Sequence, residues 1–176
     1  MKRWLGPVAV LLVCAGATHA LTLAQAPAFI MDRAMATLAT RGVALHAFTA
    51  TPRVTPQTQQ VVRSSPDLYY ALCRYDLRQP GARLEVKMAS WPDYQSLAFF
   101  DAQTDNFATL RGAQREVNVQ LLAPGSAPAG GAVVSPTEKG VILIRRLAPS
   151  AEHFAAAAEA GKADVCRLVP PDQVRR

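Results

Sequence analysis

Cysteine and histidine are scarce in this chain, three of each in 176 residues, and they show neither C-x-x-C nor the Cys/His spacing of a metal site. The sequence also has no Ser/His/Asp order, no H-E-x-x-H motif and no glycine-rich phosphate loop. Those absences exclude the common metalloenzyme, nucleophile and nucleotide-binding classes, so neither a metal nor a cofactor is expected. No long helical stretch separates the strand-like segments, which argues against a parallel α/β fold. Charge of one sign is thin as well. The 19 Lys and Arg against 13 Asp and Glu reduce to 17 − 13 = +4 once Lys2 and Arg3 are set aside. The basic residues Arg53, Arg63, Arg74, Arg83, Arg111 and Arg115 are scattered, with short pairs only at Arg145-Arg146 and Arg175-Arg176. No stripe for nucleic acid results, and a surface near anionic lipid headgroups explains the excess more simply.

What is present begins with an uncharged apolar run over residues 4–26, behind Lys2 and Arg3. Two positive charges stay in the cytoplasm, so everything after Pro27 is expected in the periplasm or its equivalent. At 1.5 Å per residue the run would extend roughly 34 Å, enough for a hydrocarbon core of about 30 Å, whereas a secretory leader needs only about 7–15 apolar residues. Trp4 suits an interfacial aromatic, and Pro27 is expected to end the helix at the outer edge. Length thus favours a single-pass inner-membrane anchor with lipid as its partner. The alternative is secretion to the periplasm after cleavage near Ala26, since Ala24-Gln25-Ala26 has the small-x-small form and Thr18-His19-Ala20 is a poorer version of it. Val13 is too bulky for Leu11-Leu12-Val13-Cys14 to serve as a lipoprotein box. His19 reads as a neutral imidazole near the interface rather than a proton or metal site.

Beyond the leader, about 150 residues suit one domain with a substantial core. Phe29, Met31, Ala34, Met35 and Leu38 recur at helical spacing over residues 28–41, with Gly42 as a stop. Residues 43–60, rich in Thr, Pro and Gln, read as an extended connector. Strand-like segments follow at 68–77, 82–89, 94–102, 117–123, 132–135 and 140–147, alternating most clearly in Leu84-Glu85-Val86-Lys87-Met88. Pro80-Gly81, Trp91-Pro92-Asp93 and Pro124-Gly125-Ser126 supply turns. Ser150 is expected to cap a last helix over 151–160 that ends at Gly161. The expected fold is mainly β, an antiparallel sandwich or jelly-roll-like sheet, with an N-terminal transmembrane helix, a following amphipathic helix and one C-terminal helix. Its divisions are an anchor or signal peptide at 1–26, helix and connector at 27–60, a single β-rich domain at 61–166 and a tail at 167–176.

Cys14 belongs to the apolar leader, which leaves Cys73 and Cys166 as the exported pair. In an oxidising compartment they are expected to be bridged, and closing so long a loop contributes about 4–5 kcal/mol on the chain-entropy account. Two buried thiols are the other reading.

Three stretches resemble one family. Arg63-Ser64-Ser65-Pro66-Asp67-Leu68-Tyr69-Tyr70 with Tyr75-Asp76-Leu77 is similar to a strand entry of the domain of unknown function 1254 family. Trp91-Pro92-Asp93-Tyr94-Gln95-Ser96, followed by residues 100–107, resembles its central strand and turn, and Ser135-Pro136-Thr137 with residues 141–147 its penultimate motif. The resemblance covers residues 63–154 and implies a fold and a topology but no settled activity. Longer relatives carry Asn-Asp-Thr after the proline, where this chain has Asp67-Leu68, and commonly fuse a second domain of unknown function, 1214. This chain therefore looks like a short, membrane-anchored branch whose companion is a separate polypeptide.

The best chemical cluster is Asp101, Thr104, Asp105 and Asn106, joined on the family resemblance by Asp67, Tyr69 and Arg145. Carboxylates and amides near a strand end can hold a cation or sugar hydroxyls. They also make turns by capping their own backbone, and here Asp105 is expected to satisfy backbone donors with Arg145 as a further partner. Trp91, Phe99 and Phe100 can floor a pocket but more often fill a core. Two functions follow: an envelope module that docks a partner protein, which the lack of a nucleophile with an orienting base favours, and a cation- or small-molecule-binding hydrolase-like enzyme built on carboxylates.

Overall fold

The computed structural model of the protein describes residues 2–55, 64–112, 114–127 and 130–169. Helix α1, Leu5–Thr40, continues through Pro27. The expectation that this proline ends the helix is corrected. A proline removes one N–H and crowds the preceding turn, but a helix held by its surroundings tolerates it. Every residue from Arg3 to Gln25 is exposed, whereas 26, 27, 28, 31, 34, 35 and 38 are partly or fully covered. That set has the spacing of one helix face, and α1 touches the strand Lys139–Leu147 with it. Met31 is its buried point; Phe29, assigned to the same stripe from the sequence, lies outside it and is exposed. Lys139 closes the contact through its ammonium, 2.6 Å from Asp32.

The β strands are β1 (Thr49–Ala50), β2 (Leu68–Asp76), β3 (Arg83–Met88), β4 (Gln95–Phe100), β5 (Asn106–Arg111), β6 (Val117–Leu122), β7 (Val133–Val134), β8 (Lys139–Leu147) and β9 (Val165–Val169), with helix α2 (Ala151–Gly161) before the last. They form a five-stranded sheet, β1-β2-β8-β4-β5, and a four-stranded sheet, β7-β6-β3-β9. All pairings are antiparallel except β6 with β7. The two sheets share one core, in which Tyr69, Cys73, Leu97, Phe99, Ile142 and Ile144 of the first meet Leu84, Val86, Met88, Val119, Leu121 and Cys166 of the second. This is the mainly β, sandwich-like architecture expected from the alternation; no barrel closes.

Three elements depart from the sequence reading. β5 occupies a stretch read as turn, β1 forms inside the supposed connector, and β9 begins two residues before the supposed tail and pairs along β3. The connector's residues 56–60, the domain start at 61–63 and the tail's residues 170–176 lie outside the described residues. Cys73 on β2 and Cys166 on β9 are joined by a disulfide that crosses between the sheets. Ser150 caps α2 by accepting the His153 N–H at 3.1 Å.

Candidate functional site

Asp101 directly follows β4 and is 5 % exposed. Its Oδ1 accepts the backbone N–H groups of Gln103 at 2.8 Å and Asp105 at 2.9 Å, while its own N–H donates to the Asp105 carbonyl at 3.0 Å. Thr104 completes the turn with φ +69°, a left-handed conformation that a short polar side chain tolerates. Asp105 and Asn106 are exposed, and the Asn106 Oδ1 accepts from Thr109 Oγ1 at 2.9 Å. The four residues are therefore together as a backbone turn, and the capping carboxylate is that of Asp101, not Asp105. Asp101→Ala should cost about 1–3 kcal/mol, because two backbone N–H groups lose a charged acceptor. A thermal or urea melt would show it, and a loss under about half that range would remove Asp101 from this role.

The other candidates do not join this turn. The Asp67 carbonyl accepts from Ala148, while Phe100, beside Asp101, pairs with Val141. Seven residues of β8 at about 3.3 Å each separate those levels, roughly 23 Å. Tyr69 points into the core, 2 % exposed, with its ring 5.4 Å from that of Phe154. Burial raises its pKa, as does Asp164, against a smaller lowering by Arg146. Arg145 faces the opposite side of the sheet, between Tyr70 and Ser96, and makes no ion pair with Asp105. Among the described residues no group of three or more His, Cys, Asp or Glu could hold a metal.

Behind the turn lies a hydroxyl network. Tyr75 is fully buried, 2.9 Å from Ser135 Oγ and 3.3 Å from the Phe100 carbonyl. Gly140 makes room for it, since a Cβ there would sit 2.6 Å from the Tyr75 hydroxyl. Burial pushes the Tyr75 pKa up to about 12 from 10.0. The folded state then holds its proton more tightly than the unfolded state. This contribution is intact below pH 10 and is lost as pH rises from there toward 12. Melting temperatures should fall across that window, and Tyr75→Phe should flatten the fall; an unchanged slope would exclude Tyr75 as its source.

The strongest polar assembly lies outside the residues that the sequence singles out. Arg146 is 0 % exposed. Its Nη1 and Nη2 donate to the two oxygens of Asp164 at 2.8 and 2.6 Å, Nη2 also to the Ala89 carbonyl at 3.2 Å, and Nε to Gln95 Oε1 at 3.3 Å. Ala89 N–H returns a bond to Asp164 Oδ1 at 2.9 Å. Gln95 in turn donates to the carbonyls of Gly112 and Arg115 at 2.5 and 3.0 Å. The Tyr69 ring lies under the guanidinium, 5.8 Å away. This knot ties β8, β4, the turn after β3, the loop before β6 and the link from α2 to β9. Its groups already satisfy one another out of contact with water, so it holds the fold and offers nothing to a substrate. An open depression of about 320 Å³ beside it is lined by Ser90, Trp91, Pro92 and Gln114, and another of about 320 Å³ by Asn118, Gln120, Gly130 and neighbours. Trp91, a candidate pocket floor from the sequence, lines the first although it is largely buried; neither contains Asp67, Tyr69, Asp101, Thr104, Asp105, Asn106 or Arg145.

The family described as protein of unknown function DUF1254 matches residues 45–167. The chain belongs to this family. The matched span runs from just before β1 into β9, so the whole sandwich is the DUF1254 domain. No curated protein matches the chain. Among solved structures, the VPA0106 protein from Vibrio parahaemolyticus is similar at 13 % identity and a TM-score of 0.55, over 84 % of this chain and 35 % of that one. An uncharacterized protein from Burkholderia cenocepacia is similar at 14 % identity and a TM-score of 0.49, over 74 % of this chain and 36 % of that one. The chain thus spans about a third of the length of these structures. The first likeness supports the fold of the DUF1254 domain alone.

Proposed function

We propose that this protein is a membrane-anchored DUF1254 module whose β-sandwich stands on the periplasmic side of the inner membrane and docks a companion polypeptide. The observation that carries the reading is α1. Its apolar part is exposed throughout and is long enough to cross a membrane, and the same helix continues without a break into the face that packs on β8. From Ala26 to the buried Met31 is five residues, about 8 Å of helix, so the sandwich would sit at the headgroups with no flexible tether. Lys2 and Arg3 orient the span with its start in the cytoplasm. The carboxylates that a hydrolase-like site would use lie far apart or are engaged in turns. The companion proposed is a protein of the domain of unknown function 1214 family, which longer relatives carry fused to this domain.

N-terminal sequencing of protein from the membrane fraction tests the anchor. The expected result is an intact leader. A mature chain that begins at Pro27 would refute anchoring while leaving export intact.

A further inference from the structure

We infer that the outer face of the five-stranded sheet, at the end where β4 begins and β8 finishes, is the docking surface for that companion, and that it takes an apolar side chain flanked by carboxylates. This rests on the docking reading above. Outside the helix, only Leu45, Tyr94 and Leu147 are exposed large hydrophobic residues among those described. Tyr94 and Leu147 are neighbours, since the Leu147 N–H donates to the Tyr94 carbonyl at 2.9 Å. They are 43 % and 36 % exposed.

Arginines surround this pair. Leu97 and Ile144 point into the core, so alternation turns Ser96 and Arg145 toward the outer face, where Ser96 is fully covered by its surroundings and Arg145 half-buried. Arg145 and Arg111 flank Ser96 in the ladder, with Cα atoms about 10 Å apart across two strand spacings. Tyr94 hydroxyl donates to Ser96 Oγ at 3.1 Å. Arg53 reaches the same end of the sheet, where its Nη2 donates to the Pro149 carbonyl at 3.0 Å. Among the described residues none of the three arginines takes part in an ion pair, although Asp67 and Asp93 stand exposed on nearby turns. Arg53 Nε and Arg145 Nε are, among the described residues, the buried side-chain atoms left without a hydrogen-bond partner.

A tyrosine and a leucine ringed by unpaired guanidinium groups is the composition of an interaction hot spot. The charge commits the occupant to carboxylates, which a guanidinium binds through two parallel bonds. Anionic lipid fits less well. Lys139, at the far end of β8, is the strand residue that meets α1, and six residues at about 3.3 Å place Arg145 roughly 20 Å along the strand from it.

The test uses the full chain purified from membranes in mild detergent. Companion recovered with the wild type is compared with that recovered by Tyr94→Ala, Arg145→Glu, Arg111→Glu and, on the other sheet, Asn118→Glu. Melting temperatures verify that each variant is folded. The patch variants should each lower recovery about tenfold, as loss of a hot-spot residue does, Asn118→Glu should not, and salt of about 0.5 M should weaken the complex. Capture of some protein by the wild type is not support in itself. Equal recovery by the patch variants, or an equal loss with Asn118→Glu, would overturn the surface and leave docking standing. So would light scattering that shows a wild-type homodimer dissolved by the same changes, or a loss of bound anionic phospholipid instead of protein. A wild type that recovers no companion would overturn both readings.

Discussion

Arg146→Ala should destabilise the protein by about 3–5 kcal/mol, the range for breaking a buried ion pair from one side. The magnitude comes from what is left behind. Without the guanidinium, the Asp164 carboxylate stays in a site where its side chain is 0 % exposed, and only the Ala89 N–H still reaches it. Gln95 Oε1 and the Ala89 carbonyl lose donors in the same step. Asp164→Ala should be of similar size, because it leaves a buried cation with only the neutral Ala89 carbonyl and Gln95 Oε1 as acceptors and orphans the Ala89 N–H. The two effects share one network, so the double variant should cost clearly less than their sum. Arg146→Lys should recover only part of the loss, since an ammonium cannot span both carboxylate oxygens and Gln95 together. Urea unfolding of the full chain in detergent, followed by the fluorescence of the buried Trp91, measures all four. A cost below about 1 kcal/mol for Arg146→Ala would show that the pair is not a principal constraint.

Only one half of this pair has a signal in the sequence. The segment Val141-Ile142-Leu143-Ile144-Arg145-Arg146 was read correctly as a strand, and period-two alternation with Ile142 and Ile144 inward puts Arg146 inward as well. The signal for choosing Arg146 over Arg145 was present, in the parity. Asp164 had none. Its partners are 18 and 75 residues away in sequence, and a single aspartate after a helix looks like any turn residue. The Asp101 turn was legible for the opposite reason: every bond its carboxylate makes is to a residue within four positions.

The same contrast explains the strands. β2, β3 and β8 have one face in the core, and their alternation is visible in the residues. β5 alternates weakly and lies at a sheet edge, where Asn106, Thr109 and Arg111 are exposed, so turn chemistry before it outweighed Phe107 and Leu110. β9 is five residues long beside Pro170-Pro171, and its membership depends on pairing with β3, which is a long-range property. At α1 the local rule fails: Pro27 is a breaker in isolation, yet the helix continues through it and packs beyond.

Cys73 and Cys166 should both be protected from alkylation in protein denatured without reductant, leaving Cys14 as the labelled thiol. Denaturation matters to the design, because the pair is 0 % and 4 % exposed and buried thiols would escape labelling in the folded protein just as bridged ones do. Their Cα atoms are 6.5 Å apart across the sandwich, and the bridge closes a loop of 93 residues in sequence separation. A loop of that length confines the unfolded chain by about 4–5 kcal/mol on the entropy account. Replacing both cysteines by alanine should therefore lower stability by that amount, with a small added loss from the core atoms removed. The consequence is local as well as global. β9 has β3 as its single sheet neighbour, and the bridge is the covalent tie from that edge to β2 on the opposite sheet. Without it, exchange of the β9 amides should rise first, ahead of those of β8, and Asp164, at the entrance to β9, should lose some of its hold on Arg146. Labelling of all three cysteines in the denatured, unreduced protein would refute the bridge. If the alanine pair unfolds at the wild-type urea midpoint, the loop argument fails even where the bridge is present.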